Sequence, residues 1–445
     1  MASTYLTRSK SSPTSDKKGT ISFWVKRSKI TQEQSIIQSG SGSIDSNIYF
    51  NGSNDKLHVY DYQSGAFNFE YITTRVFRDT SAWYAITVEI DTSLTTASDR
   101  VKIYINGVRE TVFDTATTPN QNITPLFFTS ANPFYIGSYR GTGGYFDGLL
   151  SHFHYTDGYA YGASTFGSTD ATTGEWKIKT NVTATYGTNG FFILKDGNTI
   201  TDQSSNSNDF TLGGGQLTNL KDNPSNNFCN INTLYNQTTG QGVVVNNCGN
   251  TVYYASDSSR SAFGSIAPSS GKYYFEAKVF DKTRAVIGIV NMAWSNINGA
   301  SGYGYHDDAL NFGYDLSGQK TSGGSASAFG SALNNNDIVQ VAMDLDNSKL
   351  YFGVNGVWQN SGDPTSGATG TGSAYNLASG ANYTAACRLR NGTQIGFNFG
   401  NGQYSGSNLV TTNSGDGYSG ADGASKFSYQ PPTGYSAINT KGLNL

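Results

Sequence analysis

Two hairpins built on one plan constrain this chain more than any other feature. The first reads Val101-Lys102-Ile103-Tyr104-Ile105-Asn106-Gly107-Val108-Arg109-Glu110. The second reads Lys349-Leu350-Tyr351-Phe352-Gly353-Val354-Asn355-Gly356-Val357-Trp358-Gln359. Each has an alternating strand, an Asn-Gly turn and a short return strand. Asn-Gly supplies the positive φ angles that a tight type I′ turn requires. Meeting it twice, in different surroundings, predicts two separate β-sandwich domains. It also directs function toward surface recognition rather than catalysis.

The length of 445 residues suits two sandwiches with extensions. Aromatic residues make up 13% of the chain, enough for sizeable cores. Only 14% is charged, while 53 Gly and abundant Ser, Thr and Asn point to an all-β protein with polar turns. That composition is common in extracellular and virion proteins. The net charge is −3, and Lys17-Lys18 and Lys26-Arg27 are short, interrupted basic pairs. Neutralising phosphates takes a concentrated basic face, so nucleic acid is not an expected partner. Cys229, Cys248 and Cys387 are odd in number and irregularly spaced, which is no disulfide framework. Pairing of Cys229 with Cys248 stays open beside free thiols. The start, Met1-Ala2-Ser3-Thr4-Tyr5-Leu6, lacks an apolar targeting region, and no apolar run approaches spanning length. We therefore expect neither general secretion nor membrane insertion.

In residues 19–28, Ile21, Phe23 and Val25 face one way and Ser22, Trp24 and Lys26 the other, which reads as a half-buried strand. Residues 82–90 read as a longer strand, followed by the first hairpin. Further strands are Phe134-Tyr135-Ile136-Gly137 and the run from Gly148 to Tyr155. No stretch holds a capped 3.6-residue apolar period, so almost no helix is expected. Ser22-Phe23-Trp24-Val25-Lys26, Trp83-Tyr84, Ile103-Tyr104-Ile105-Asn106-Gly107, Ile136-Gly137 and Phe146-Asp147-Gly148 follow one another over residues 4–160. In order and spacing this set resembles a laminin-G or concanavalin A-like jelly roll. Residues 161–190 are polar and Gly-rich. The apolar Phe191-Phe192-Ile193-Leu194 that follows is read as a strand, within 191–212, that closes the first sandwich.

Farther on, Tyr273, Phe275, Ala277 and Val279 form one face of a strand, followed by Val286-Ile287-Gly288-Ile289-Val290. The run from Asp337 to Asn347 leads into the second hairpin, and Gly396-Phe397-Asn398-Phe399-Gly400 ends the series. Over residues 265–400 this resembles a SPRY domain. The alternation predicts that Tyr273, Phe275, Val341, Met343, Leu350 and Phe352 are core. The expected organisation is a first sandwich over 1–220, linker and entry strands over 221–264, a second sandwich over 265–400, and a Gly/Ser-rich loop with an extended tail over 401–445.

The two sandwiches, joined by Asp222-Asn223-Pro224-Ser225-Asn226-Asn227-Phe228-Cys229, together resemble proteins of marine tailed phages. The resemblance implies a virion protein on tail or capsid, made in the host cytoplasm and present as a homo-oligomer or in many copies. Its implied partners are other virion proteins and host cell-surface polysaccharide. With no heptads or fibrous repeat, a compact decoration or short appendage is expected rather than a long fibre.

Motifs that carry catalytic, metal-binding or phosphate-binding chemistry are weak or missing in the sequence. Jelly-roll glycosidases place carboxylates at alternate positions of one strand, about 5 Å apart. Only Glu89-Ile90-Asp91 begins that way, and Thr92-Ser93-Leu94 supplies no second glutamate. A solvated strand end is preferred, and no catalytic residue is expected. His152 and His154 sit two apart on a strand, but a metal site needs more ligands, and only His58 and His306 remain. No metal site is assigned. Calcium at a loop rim is what the laminin-G resemblance implies, with Asp45, Asp55 and Asp147 as candidates. Neither a phosphate-binding Gly loop nor a Gly-x-Ser-x-Gly elbow is present.

Recognition sites on sandwiches usually lie on loops. Two clusters combine rings with polar groups. One is the 139–146 loop, with Tyr139, Arg140 and Tyr145. The other contains Trp294, Asn296, Tyr303, Tyr305 and His306. These rings are alternatively core rims or contacts to a neighbouring subunit. The resulting expectation is a non-enzymatic virion protein with lectin-like surfaces. The alternatives are a purely structural decoration or tail protein and a polysaccharide depolymerase.

Overall fold

A computed structural model describes residues 3–195, 199–234, 242–246, 248–294, 309–402 and 417–444. The chain divides into two compact units, Met1–Thr218 and Asn219–Leu445. Both are antiparallel β-sandwiches, and helix among the described residues is confined to short turns. None is long and apolar enough to cross a membrane.

The strands of the first unit are β1 (Tyr5–Arg8), β2 (Lys18–Arg27), β3 (Gln34–Ser41), β4 (Ile44–Phe50), β5 (Lys56–Gln63), β6 (Ala66–Val76), β7 (Tyr84–Asp91) and β8 (Val101–Ile105). They continue with β9 (Val108–Arg109), β10 (Phe113–Thr117), β11 (Phe134–Ile136), β12 (Gly148–Asp157), β13 (Gly167–Thr169), β14 (Trp176–Ile178), β15 (Phe191–Ile193) and β16 (Thr211–Gly214). One main sheet runs β10-β6-β5-β4-β3-β11-β1-β16 and the other β15-β12-β2-β7-β8-β9, while β13 and β14 pair as a separate hairpin. Ile48, Phe50, Leu57 and Val59 of the first meet Ile21, Phe23, Val25, Ile86 and Val88 of the second in one core. β15 pairs with β12, with Phe192 opposite His154, and Phe191 and Ile193 point into that core.

Strand β2 departs from the half-buried expectation. It lies between β12 and β7, and Trp24 and Lys26 on its outer face are also buried. The excursion between β12 and β15 lies over part of this outer face, at Thr20 of β2 and His154 of β12. Tyr161 O accepts the Thr20 hydroxyl at 3.1 Å, and Phe166 and Tyr186 pack on His154.

The second unit contains β17 (Val244–Asn246), β18 (Thr251–Tyr254), β19 (Arg260–Phe263), β20 (Lys272–Asp281), β21 (Ala285–Asn291), β22 (Asn311–Asp315), β23 (Gln319–Ser322) and β24 (Ser325–Ala328). It ends with β25 (Ile338–Asp344), β26 (Lys349–Val354), β27 (Val357–Trp358), β28 (Tyr375–Asn376), β29 (Tyr383–Leu389), β30 (Thr393–Asn398) and β31 (Ser436–Ala437). One sheet follows β17-β18-β30-β20-β25-β26-β27 and the other β19-β29-β21-β22-β23-β24. Across β20, β25 and β26, Tyr273 pairs Met343, Phe275 pairs Val341, and those two pair Leu350 and Phe352. All six lie in the core, as the alternation predicts.

The C-terminal stretch, expected as an extended tail, is packed over residues 417–444. Outward-facing Tyr274, Ala342 and Tyr351 are covered by Phe427, Tyr435 and Ala437. The buried Glu276 carboxylate accepts the backbone N–H groups of Ser428 and Tyr429 at 2.9 and 2.8 Å. Cys229 N donates to Ile438 O at 2.8 Å, so the Asp222–Cys229 linker also pairs with this stretch. No disulfide joins Cys229, Cys248 or Cys387.

Candidate functional site

A pocket of about 400 Å³ lies on the first unit, lined by Asp45, Tyr49, Tyr60, Tyr62, Phe67, Glu70, Tyr139 and Arg140 with the Gly42-Ser43 turn. Its floor comes from sheet register. In β5, His58, Tyr60 and Tyr62 alternate with the core residues Leu57 and Val59, so they point outward. Pairing then sets Tyr49 beside His58, Asp45 beside Tyr62, and Phe67 and Glu70 of β6 opposite Tyr62 and Tyr60. Three strands thus bring their rings to one place. Tyr49 and Tyr60 meet edge-on at 5.9 Å between centroids, as do Tyr60 and Phe67 at 5.6 Å and Tyr62 and Phe67 at 5.0 Å. Edge-to-face contacts of this kind fix the rings relative to one another where they line the cavity.

The wall comes from the 139–145 loop. Arg140 takes a left-handed conformation, φ 56°, which turns its side chain back over the sheet. Its guanidinium donates to Gly42 O at 2.7 Å and Ile44 O at 3.0 Å, stapling the β3–β4 turn. It stacks on Tyr139 at 4.7 Å and lies 3.8 Å from Asp45. Asp45 is buried, and its carboxylate accepts from Gln38 Nε2 and the Tyr60 hydroxyl. Burial pushes the Asp45 carboxyl up, and these donors and Arg140 oppose the shift. Burial and the Asp45 charge hold the Tyr60 and Tyr139 phenols above their usual range. Burial and then Lys56 push His58 down to about 4, so the imidazole whose Nδ1 meets Tyr49 Oη at 2.9 Å is neutral at pH 7.

Of the residues proposed from sequence, Tyr139 and Arg140 line this pocket. Tyr145 does not; its hydroxyl donates to Gly141 O at 2.8 Å and its ring lies near Tyr5, so it braces the loop. Trp294, expected as an exposed ligand contact, is instead buried with Phe263, Val286, Val290 and Ala386, because β21 and β29 carry apolar residues on that face too. Asn296, Tyr303, Tyr305 and His306 lie outside the described residues. Tyr49, Tyr60, Tyr62, Phe67 and Glu70 escaped sequence reasoning. The available signal was aromatic residues at outward positions of β5, where polar ones are the rule for a solvated sheet face.

The three calcium candidates each face a basic side chain of the chain itself. Asp55 pairs with Arg27 at 3.0 Å and Arg78 at 3.1 Å, and Asp147 with Lys29 at 3.0 Å, while Asp45 faces Arg140. Among the described residues no three His, Cys, Asp or Glu side chains gather as a metal-binding group. His152 and His154 do not form a simple alternate pair. The β2–β12 register shifts between Ser151 and His154, His152 has φ 47°, and His154 is buried against Phe192. Glu89 accepts Lys102 Nζ at 2.9 Å and Tyr104 Oη at 3.0 Å, and Asp91 accepts the Ser93 N–H at 3.0 Å in a turn. Both carboxylates are thus held in local contacts.

Residues 2–159 match the family described as Concanavalin A-like lectin/glucanases superfamily. Residues 272–402 match the SPRY domain family. No curated protein matches the chain. Among solved structures, the SPRY domain of human HERC1 is similar at 13% identity, covering 35% of this chain and 91% of that one, with a TM-score of 0.29. A human SPRY domain is similar at 17% identity, covering 35% and 94%, with a TM-score of 0.27. The chain therefore carries a concanavalin A-like domain followed by a SPRY domain.

Proposed function

We propose that this chain is a non-enzymatic recognition protein whose first domain binds a surface saccharide in the Tyr49–Tyr60–Tyr62–Phe67 pocket. The observation that carries the reading is the outward-facing group of four rings beside polar groups already fixed in place. Apolar sugar faces stack on such rings, and phenols and carboxylates take the hydroxyls. Asp45 is engaged by Gln38, Tyr60 and Arg140, which suits a positioned acceptor better than an attacking nucleophile.

The setting we propose is the surface of a tailed-phage virion, on tail or capsid, with other virion proteins and host cell-surface polysaccharide as partners. The ordered pair of sandwiches with its Asp222–Cys229 linker supports this. Many copies on a particle would turn modest single-site affinity into tight attachment through effective concentration. The test is a glycan array probed with the purified chain and with Tyr60→Ala. Binding that disappears in the variant, without release of reducing sugar, supports the proposal. Binding insensitive to Tyr60, or turnover of a bound polysaccharide, overturns it.

A further inference from the structure

Resting on the reading of this pocket as a ligand site, we propose that it selects a positively charged ligand group, an ammonium or quaternary ammonium. The charge inventory is the first argument. The lining holds two carboxylates, Asp45 and Glu70, against one guanidinium, Arg140. Arg140 is occupied by Asp45 and by the Gly42 and Ile44 carbonyls. The Glu70 carboxylate makes no hydrogen bond or ion pair among the described residues, although the residue is half-buried directly opposite Tyr60. The pocket therefore presents one uncompensated negative charge.

The second argument is the rings. Tyr49 with Tyr60, Tyr60 with Phe67 and Tyr62 with Phe67 meet at steep interplanar angles of 89°, 87° and 70°. Rings set at steep angles around one open pocket present π faces in more than one direction, and a π face attracts an alkylammonium ion by cation–π interaction. A neutral sugar needs one or two stacking faces, and its hydroxyls can donate to the Glu70 carboxylate but leave that negative charge uncompensated. A cation uses both features.

Third, the surrounding field has the same sign. The Tyr49 phenol is raised by burial, against a hydrogen bond with Asn51, and then by the charges of Glu33, Glu70 and Asp45. Desolvation alone raises the Glu70 carboxyl, as expected for an acid still lacking a counter-charge. An arriving cation would relieve that cost.

The experiment is calorimetric titration of the full chain with two matched pairs. One is choline and its uncharged carbon isostere; the other is glucosamine and N-acetylglucosamine. We expect the charged member to bind about tenfold or more tightly in at least one pair. The choline pair alone would indicate a quaternary ammonium headgroup, and the glucosamine pair alone an amino sugar. Glu70→Gln should abolish the preference while leaving the thermal midpoint near that of the parent. Equal binding within both pairs overturns the inference whether or not that variant folds, as does a preference that survives in folded Glu70→Gln. Binding of neutral saccharides that is lost in Tyr62→Ala, without preference for charge, overturns this inference and leaves the saccharide reading standing. No binding by any probe overturns this inference, and the glycan array then decides the saccharide reading separately.

Discussion

Asn106 Oδ1 accepts the backbone N–H of Ala85 at 2.8 Å, and the Asn106 N–H returns a bond to Ala85 O at 2.8 Å. Asn355 repeats this on Ile338 in the second domain, at 2.9 and 3.0 Å. Each Asn therefore does two jobs. It takes the positive φ of its turn, 48° in both cases, and ties the turn to the neighbouring strand. Asn355→Gly keeps the turn but loses the side-chain acceptor, so it should cost about 1 kcal/mol. Asn355→Ala adds left-handed strain and should cost about 1–2 kcal/mol more. Urea unfolding of the two variants checks the order; equal costs would show that the backbone strain is negligible.

Phe352 is buried against Tyr314, with ring centroids 5.6 Å apart, in the core between the two sheets of the second domain. Phe352→Ala should destabilise that domain by about 3–5 kcal/mol. Denaturant midpoints measure this directly, and a loss under about 1 kcal/mol would mean the side chain does not face the core.

Lys10 is buried in the first domain with no carboxylate at its nitrogen. Nζ donates to Ser39 Oγ at 2.7 Å, Leu126 O at 2.7 Å and Phe127 O at 3.2 Å. Burial pushes its pKa down to about 7, against the pull of Asp157. Above that pH the folded form has released a proton that the unfolded chain keeps until lysine's ordinary value. The unfolded state then binds more protons, so stability rises with pH between about 7 and 10, by up to about 1.4 kcal/mol per unit. Urea midpoints at pH 7 and pH 9 should show the rise in the parent and a weaker one in Lys10→Met. Equal slopes would show that Lys10 is not its source.

Glu276 holds the C-terminal stretch through the N–H groups of Ser428 and Tyr429. Glu276→Gln weakens these charge-assisted bonds, and we expect a loss of about 1–3 kcal/mol. Limited proteolysis should then cut within 417–444 sooner than in the parent. Unchanged cleavage would assign the closure of this face to Phe427 and Tyr435 packing alone.

Both hairpins and the six core residues of the second domain were legible because they depend on local rules, turn chemistry and period-two alternation. Burial of Trp24 and Lys26 was not, because period-two alternation assigns a face but does not register what packs over it, and the polar composition of residues 159–186 gives no hint that they return over Thr20 and His154. The pocket was half legible. Tyr139 and Arg140 lie in a loop whose Gly and Tyr content marks it. Tyr49, Tyr60, Phe67 and Glu70 come from three strands, and only register makes them neighbours. The tail was misread for a related reason: its Gly and Ser obscure Phe427 and Tyr435, and the outward face of Tyr274 and Tyr351 was not recognised as needing cover.

The most direct test of the central claim compares ligand titrations of Tyr62→Ala, inside the pocket, with Tyr135→Ala, on β11 of the same sheet and outside its lining. The ligand is whichever saccharide the parent chain retains from a glycan array. We predict that Tyr62→Ala weakens binding about tenfold or more while Tyr135→Ala leaves it unchanged. Equal affinities for parent and Tyr62→Ala would contradict the assignment of this pocket as the binding site.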